Sequence, residues 1–179
     1  MAYTRKFYTS DTHFGHQGML VFGGRKFKDT MGMDELLIKR WNEVVGSSDI
    51  VYHLGDFAFQ LDNTERVHGI FHRLNGRKFL IIGNHDVRKD GTLHPTIAAL
   101  PWEAEPQQML EVKDEGSRVI LCHYSLRVWN ASHHGSYHFY GHSHGKLPPQ
   151  GLSRDVGVDV PDTNFQPRDF KQLTRGLKP

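Results

Sequence analysis

The sequence predicts an α/β protein, a two-layered β-sandwich flanked by helices in α/β/β/α order. Three observations carry that expectation. Short apolar runs alternate with two segments of helical periodicity through the first half of the chain, and further short runs with tight turns fill the second half. Asp, Asn and His residues repeatedly come directly after a run. Strand ends are where such a sandwich gathers distant side chains into one crevice, so the pattern implies a single built site.

The elements follow in order. Lys6 to Ser10 reads as a strand, because Phe7 and Tyr8 favour extended backbone and Asp11 ends the run. A glycine-containing loop is expected through Gly24. Met33, Leu36, Leu37, Ile38, Trp41, Val44 and Val45 then recur at helical spacing, with Asp29 or Thr30 as N-cap and Gly46 as the stop. Ile50 to Leu54 is the next strand, and Gly55 lets the backbone turn so that Asp56 projects from its end. Asp62 with Glu65 resembles a capping box opening a helix through Leu74, its buried face being Val67, Ile70, Phe71 and Leu74. Trp41 and Phe71 belong to the core. Phe79 to Ile82 is a continuous apolar strand, as in a sheet covered on both faces. Met109 to Val112, Ser117 to Cys122, Tyr137 to Tyr140 and Asp155 to Val160 read as strands, and Pro167 to Leu173 as a last short helix.

A chain of 179 residues fits one domain, 1–179, with no cap domain. Its 22 basic and 20 acidic residues are interleaved, for a formal charge of +2, which argues for neither a nucleic-acid nor a membrane partner. Cys122 is the one cysteine, so no disulfide can form within the chain and a reducing, cytoplasmic setting is expected. The first residues lack the apolar core of a signal peptide, and no segment is long enough to span a bilayer. Thirteen histidines are the compositional oddity. The pair His133 and His134 lies in a polar loop and reads as solvated.

The candidate ligands are Asp11 and His13, Asp56, Asn84 with His85, His123, and His142 with His144. Carboxylate, amide and imidazole donors suit manganese, iron, zinc or nickel, whereas structural zinc normally recruits several thiolates. Alternate residues of an extended segment share a face, so His142 and His144 can reach a common centre. Two metals about 3.5 to 4 Å apart can clamp a phosphate. Asp56 is the candidate bridge, since a carboxylate oxygen can serve both ions. Arg88 follows the Gly-Asn-His-Asp turn, where it could steer a phosphate or simply lie in solvent. Arg127 and Trp129 fit a substrate groove and lid packing equally well.

The ordered set Asp11-x-His13, Gly55-Asp56, Gly83-Asn84-His85-Asp86, His123 and Gly141-His142-x-His144 resembles the calcineurin-like metallophosphoesterase superfamily. Val156-Gly-Val-Asp-Val160 is similar to the strand after the last metal motif in its small prokaryotic and phage members. The resemblance implies that Asp11, His13 and His144 hold one divalent metal, and Asn84, His123 and His142 a second, with Asp56 between them. Manganese is expected ahead of iron, zinc, nickel or magnesium. His85 would give a proton or hydrogen bond to the leaving-group oxygen, Asp86 would orient His85, and His16 would touch phosphate. The implied activity is hydrolysis of phosphodiesters, with monoesters second and nucleotides among the substrates, by metal-activated hydroxide. Two other classes compete: a nuclease, whose basic channel and stacking aromatics are not legible as a stripe, and a noncatalytic interaction scaffold of the same fold.

Overall fold

The computed structural model describes residues 4–21 and 23–179. Two four-stranded sheets face each other. The first has the order β3-β2-β1-β8, built from β1 (Lys6–Thr9), β2 (Ile50–His53), β3 (Arg77–Leu80) and β8 (Arg168–Asp169). Its three long strands are parallel and in step, Thr9 beside His53 and His53 beside Leu80, so their following loops leave at one level. That shared edge carries Asp11, Asp56 and Asn84.

The second sheet has the order β4-β5-β6-β7: β4 (Met109–Asp114), β5 (Ser117–Cys122), β6 (Tyr137–Tyr140) and β7 (Ser153–Asp155). β4 and β5 form a hairpin whose two central residues, Glu115 and Gly116, both take positive φ, the requirement of a type I′ turn. β5, β6 and β7 are parallel, which aligns the ends that lead to His123 and His142.

Alternation along the strands sorts the core into two layers. Phe7, Val51 and Leu80 meet α2 (Thr30–Asn42) and α3 (Thr64–Arg73) through Met33, Leu37, Trp41, Val67, Ile70 and Phe71. Tyr8, Tyr52 and Ile81 face the other way and pack on Val119, Leu121 and Phe139 of the second sheet. Phe170 and Leu173 of α5 (Phe170–Thr174) close that inter-sheet layer. The architecture is therefore the expected α/β sandwich of two mixed sheets flanked by helices. No helix among the described residues is long and apolar enough to cross a membrane.

Several boundaries depart from the sequence reading. Asp29 caps α2 as expected, accepting from Gly32 N at 2.8 Å, but the helix ends at Asn42, short of Gly46. The Asp62–Glu65 box does not form. A turn from Gln60 to Asn63 brings Asn63 to the cap position of α3, where it accepts from Arg66 N, and the capping box lies instead at Asp169 and Gln172 of α5. β3 starts two residues earlier than its apolar run, because Lys78 buries its stem and donates to the carbonyls of Leu74 and Gly76. Of the expected strand 155–160 only Asp155 lies in β7, and a turn follows: Gly157 bridges to Ser10, Val160 N–H donates to Gly157 O at 3.1 Å, and Thr163 Oγ1 donates to Val160 O at 2.8 Å. The loop after β1 holds a short helix, α1 (Gln17–Val21), and α4 (Pro95–Ala98) had no clear signal in the sequence. The last helix, expected from Pro167, starts only at Phe170, because Arg168–Asp169 pair antiparallel with β1 as β8 and Asp169 caps the helix.

Candidate metal centre

Five of the expected ligands sit where the chain leaves a strand in the left-handed region: Asp11 (φ 57°), His13 (50°), Asp56 (58°), His142 (64°) and His144 (50°). That conformation is sparsely populated by side-chain-bearing residues, though Asp and His tolerate it better than most, and its clustering marks a constrained site. The loops interlock to hold it. Asp11 N–H donates to Gly55 O and His13 N–H to Asp56 O, both at 3.0 Å. His142 N–H donates to the Asp11 carboxylate at 2.9 Å, and His85 N–H to Asp56 Oδ1 at 2.8 Å. The approach needs bare backbone at two points. A Cβ on Gly83 would fall 2.3 Å from Asp56 Oδ1, and one on Gly141 would fall 1.9 Å from Ser10 Oγ.

The result is two groups of donors, Asp11 with His13 and His144, and Asp56 with His123 and His142, each with its ligand atoms within 4.8 Å of one another. Asp56 faces both. Its Oδ2 lies 3.5 Å from His13 Nε2 and 3.6 Å from His123 Nε2. Asn84 joins the second group, with Oδ1 3.0 Å from His123 Nε2.

The electrostatics are those of a cation site. Burial, then the neighbouring Asp56 and Asp155, pushes the Asp11 carboxyl well above the usual carboxylate range. Burial, then Arg25 and the nearby imidazoles, pushes His13 down, and burial also lowers His123 against the pull of Asp56. Both shifts favour the neutral form of His13 and His123, which carries one ring-nitrogen lone pair. His123 Nδ1 donates to the Leu54 carbonyl at 2.7 Å, which leaves Nε2 as an acceptor aimed at the Asn84 carbonyl oxygen, another acceptor. Likewise, His144 Nδ1 donates to Asp159 Oδ2 at 2.7 Å and leaves Nε2 facing Asp11. His13 Nε2 is buried without a hydrogen-bond partner. Lone pairs converging on lone pairs favour a cation among them, and these oxygen and nitrogen donors fit divalent ions.

The other expected site residues divide. His85 is half-buried beside the ligands, its ring centroid 5.3 Å from that of His13. His16 lies on the same side, stacked on Phe59 at 3.7 Å with an interplanar angle of 7°. Asp86 does not meet the role expected of it. Instead of orienting the His85 ring, its fully buried carboxylate accepts the backbone N–H groups of Asp56, Phe57 and Gly83 at 2.8 to 3.0 Å and ties two ligand loops together. Burial, then Asp56, raises its pKa to about 7 against those three hydrogen bonds. The turn from Gly83 to Asp86, closed by Asp86 N–H to Gly83 O at 3.3 Å, brings the carboxylate back under its own loop and explains the change. Arg88 is exposed. Arg127, also exposed, lines a cavity of about 320 Å³ with Trp129, Tyr140 and Leu147, and none of the candidate donors contributes to its wall. His133 and His134 are exposed on a short 3-10 turn.

Sequence reasoning passed over Arg25, Asp155 and Asp159. Asp155 accepts from Ser143 Oγ and Gly145 N, bracing the His142–His144 segment. Asp159 works against its own burial, but hydrogen bonds from Arg25 and His144 outweigh that cost and hold its carboxyl below the usual range. Its place within Val156-Gly-Val-Asp-Val160 was the available signal.

No family model matches the chain. An uncharacterised protein of Methanocaldococcus jannaschii is 41% identical over 83 residues, 46% of this chain and 47% of that one. The gene 66 protein of Mycobacterium phage L5 is 36% identical over 85 residues, 44% of this chain and 38% of its own. The match thus spans less than half the length of either relative. The gene 66 protein of Mycobacterium phage D29 aligns more fully, over 86% of this chain and 87% of its own, at 28% identity. Among solved structures, a protein of unknown function from Aquifex aeolicus covers 97% of this chain and 99% of its own with a TM-score of 0.71. An archaeal phosphodiesterase superposes more loosely, at 0.49 and 18% identity over 87% of this chain and 83% of its own. At 20% identity, the Aquifex likeness establishes a shared fold.

Proposed function

We propose that this protein is a dinuclear metal-dependent phosphoesterase of the calcineurin-like superfamily, of the small prokaryotic and phage type, acting on phosphodiesters ahead of monoesters. One observation carries the reading: Asp56 Oδ2 stands between His13 Nε2 and His123 Nε2, at 3.5 and 3.6 Å, so one carboxylate oxygen faces both donor groups. Asp11, His13 and His144 would hold one cation, and Asn84, His123 and His142 the other. Manganese is the first ion to test, with iron, zinc, nickel and magnesium compatible with the same donors. When bound, such a pair brings the pKa of water from 15.7 towards about 7 and offsets the charge of a phosphate.

The chain's own groups supply the rest. His85 is anchored through its backbone to Asp56 Oδ1, and its half-buried ring lies beside His13, positioned to give a proton to the leaving oxygen. His16, braced by Phe59, lies next to it for a phosphate oxygen. His142 is exposed and Asn84 and His85 only half-buried, so the cleft is open enough for a substituent on each side of phosphorus. Nucleotides and cyclic nucleotides are the first substrates to screen.

The test is hydrolysis of an aryl phosphodiester with added Mn2+. Asp56→Asn abolishes turnover, and His85→Ala lowers kcat by about 10²- to 10⁴-fold, the range of a general acid. Full activity in chelator-treated, metal-free protein would overturn the reading, and faster rates on monoesters would overturn its diester preference.

A further inference from the structure

Arg25 comes from the loop after α1, carries no role in the chemistry above, and is 3% exposed. Its guanidinium forms a bidentate pair with Asp159, Nε to Oδ1 at 2.7 Å and Nη2 to Oδ2 at 2.8 Å. The remaining donors reach the carbonyls of Thr12 at 2.7 Å and Asp11 at 2.5 Å. Asp159 Oδ2 in turn accepts from His144 Nδ1. One buried cation therefore touches the left-handed turn that presents Asp11 and His13, and, through a carboxylate, the third member of that donor group.

We propose that the Arg25–Asp159 pair positions the Asp11, His13 and His144 group: Asp159 fixes His144 as the Nδ1–H tautomer with Nε2 free for a cation, while Arg25 clamps the Asp11–Thr12 backbone. The proposal rests on the reading that this group holds a divalent ion. The chemistry favours it on two counts. A carboxylate behind a ligating imidazole sets its tautomer and raises its basicity, and losing such a partner typically weakens metal binding 10- to 100-fold. Arg25 also neutralises Asp159, which otherwise would add a further negative charge to a buried cluster already holding Asp11, Asp56 and Asp155. The second group is built differently. His123 is backed by a main-chain carbonyl and His142 is exposed against Tyr124, so the pair bonds no imidazole of the second group directly.

Calorimetric titration of chelator-stripped protein with Mn2+ reads this directly. Asp159→Asn, nearly the same size, is expected to weaken one binding step 10- to 100-fold and leave the other unchanged, with Arg25→Lys showing a smaller loss in the same step. Equal affinities in wild type and Asp159→Asn overturn the proposal alone; a wild type that takes up no Mn2+ overturns the metal reading with it. Long-range proton–nitrogen spectra of the histidine rings in metal-free wild type, with the His144 signals assigned by loss in His144→Gln, give a second test that needs no folded Asp159 variant. His144 protonated at Nδ1 is the expected result, and protonation at Nε2 overturns the proposal.

Discussion

Outside the first sheet, Phe7, Val51 and Leu80 lie under α2 and α3, where Trp41, Phe71 and their neighbours form a continuous apolar layer. Outside the second, Ile120, His138 and Tyr140 are buried beneath segment 124–136. There Trp129 stacks at a tilt on His138, and His138 Nε2 accepts the Leu126 N–H while Nδ1 donates to Ile120 O. One face is sealed by helices and hydrocarbon, the other by a loop that depends on an indole and a buried imidazole. The loop-sealed sheet is the one that delivers His123, His142 and His144. A loop cover with few apolar contacts is expected to open more readily than a helical layer, so the two sheets should hold their donors with different rigidity.

The contrast can be broken at its strongest point. Phe71 packs against Trp102 and Phe57 with ring centroids 4.8 and 5.9 Å away, and Lys78 lies over its face. Phe71→Ala is expected to cost about 3 to 5 kcal/mol in urea unfolding, the range for a buried aromatic. A loss under about 1 kcal/mol would mean that the helical layer does not dominate stability.

Trp129→Ala sharpens the other side. The indole is half-buried and donates to Ser136 O, so its removal should cost about 1 to 2 kcal/mol. Amide exchange should quicken mainly within 124–138, and Mn2+ affinity should fall through His123 and His142. A global loss as large as that of Phe71→Ala would erase the distinction between the two faces.

The same division explains what the sequence revealed. Helices α2 and α3 and the parallel strands β1, β2, β5 and β6 were legible because each buries at least one face, which imposes a pattern that residues must obey. That the candidate donors come together was legible for a related reason: each follows a strand, and the parallel register brings those ends level. The cover over the second sheet has no period, so Trp129 and His138 gave no sign of their pairing. Asp86 was misassigned because a carboxylate beside a histidine reads as its partner, while the three amides it binds are invisible in a string of side chains. Arg25 and Asp159 are 134 positions apart, and only the fold makes them neighbours.

The smallest expected effect concerns Lys78, which lies at the rim of the helix-covered layer. Burial lowers its pKa from 10.5 to about 8, and its amine donates to the carbonyls of Leu74 and Gly76. The folded state thus disfavours the charged form. Between pH 8 and 10.5 the unfolded chain holds the proton that the folded chain has released, and stability rises with pH wherever the unfolded state binds more protons. The contribution of Lys78 is accordingly fully present above pH 10.5 and lost as pH falls through 8. Lys78→Met cannot titrate, so the stability of wild type relative to the variant should increase by about 1 kcal/mol between pH 7 and 9 in paired urea unfolding curves. Parallel behaviour of the two proteins across that interval would show that the ammonium reaches solvent and that the helical layer is open at this edge.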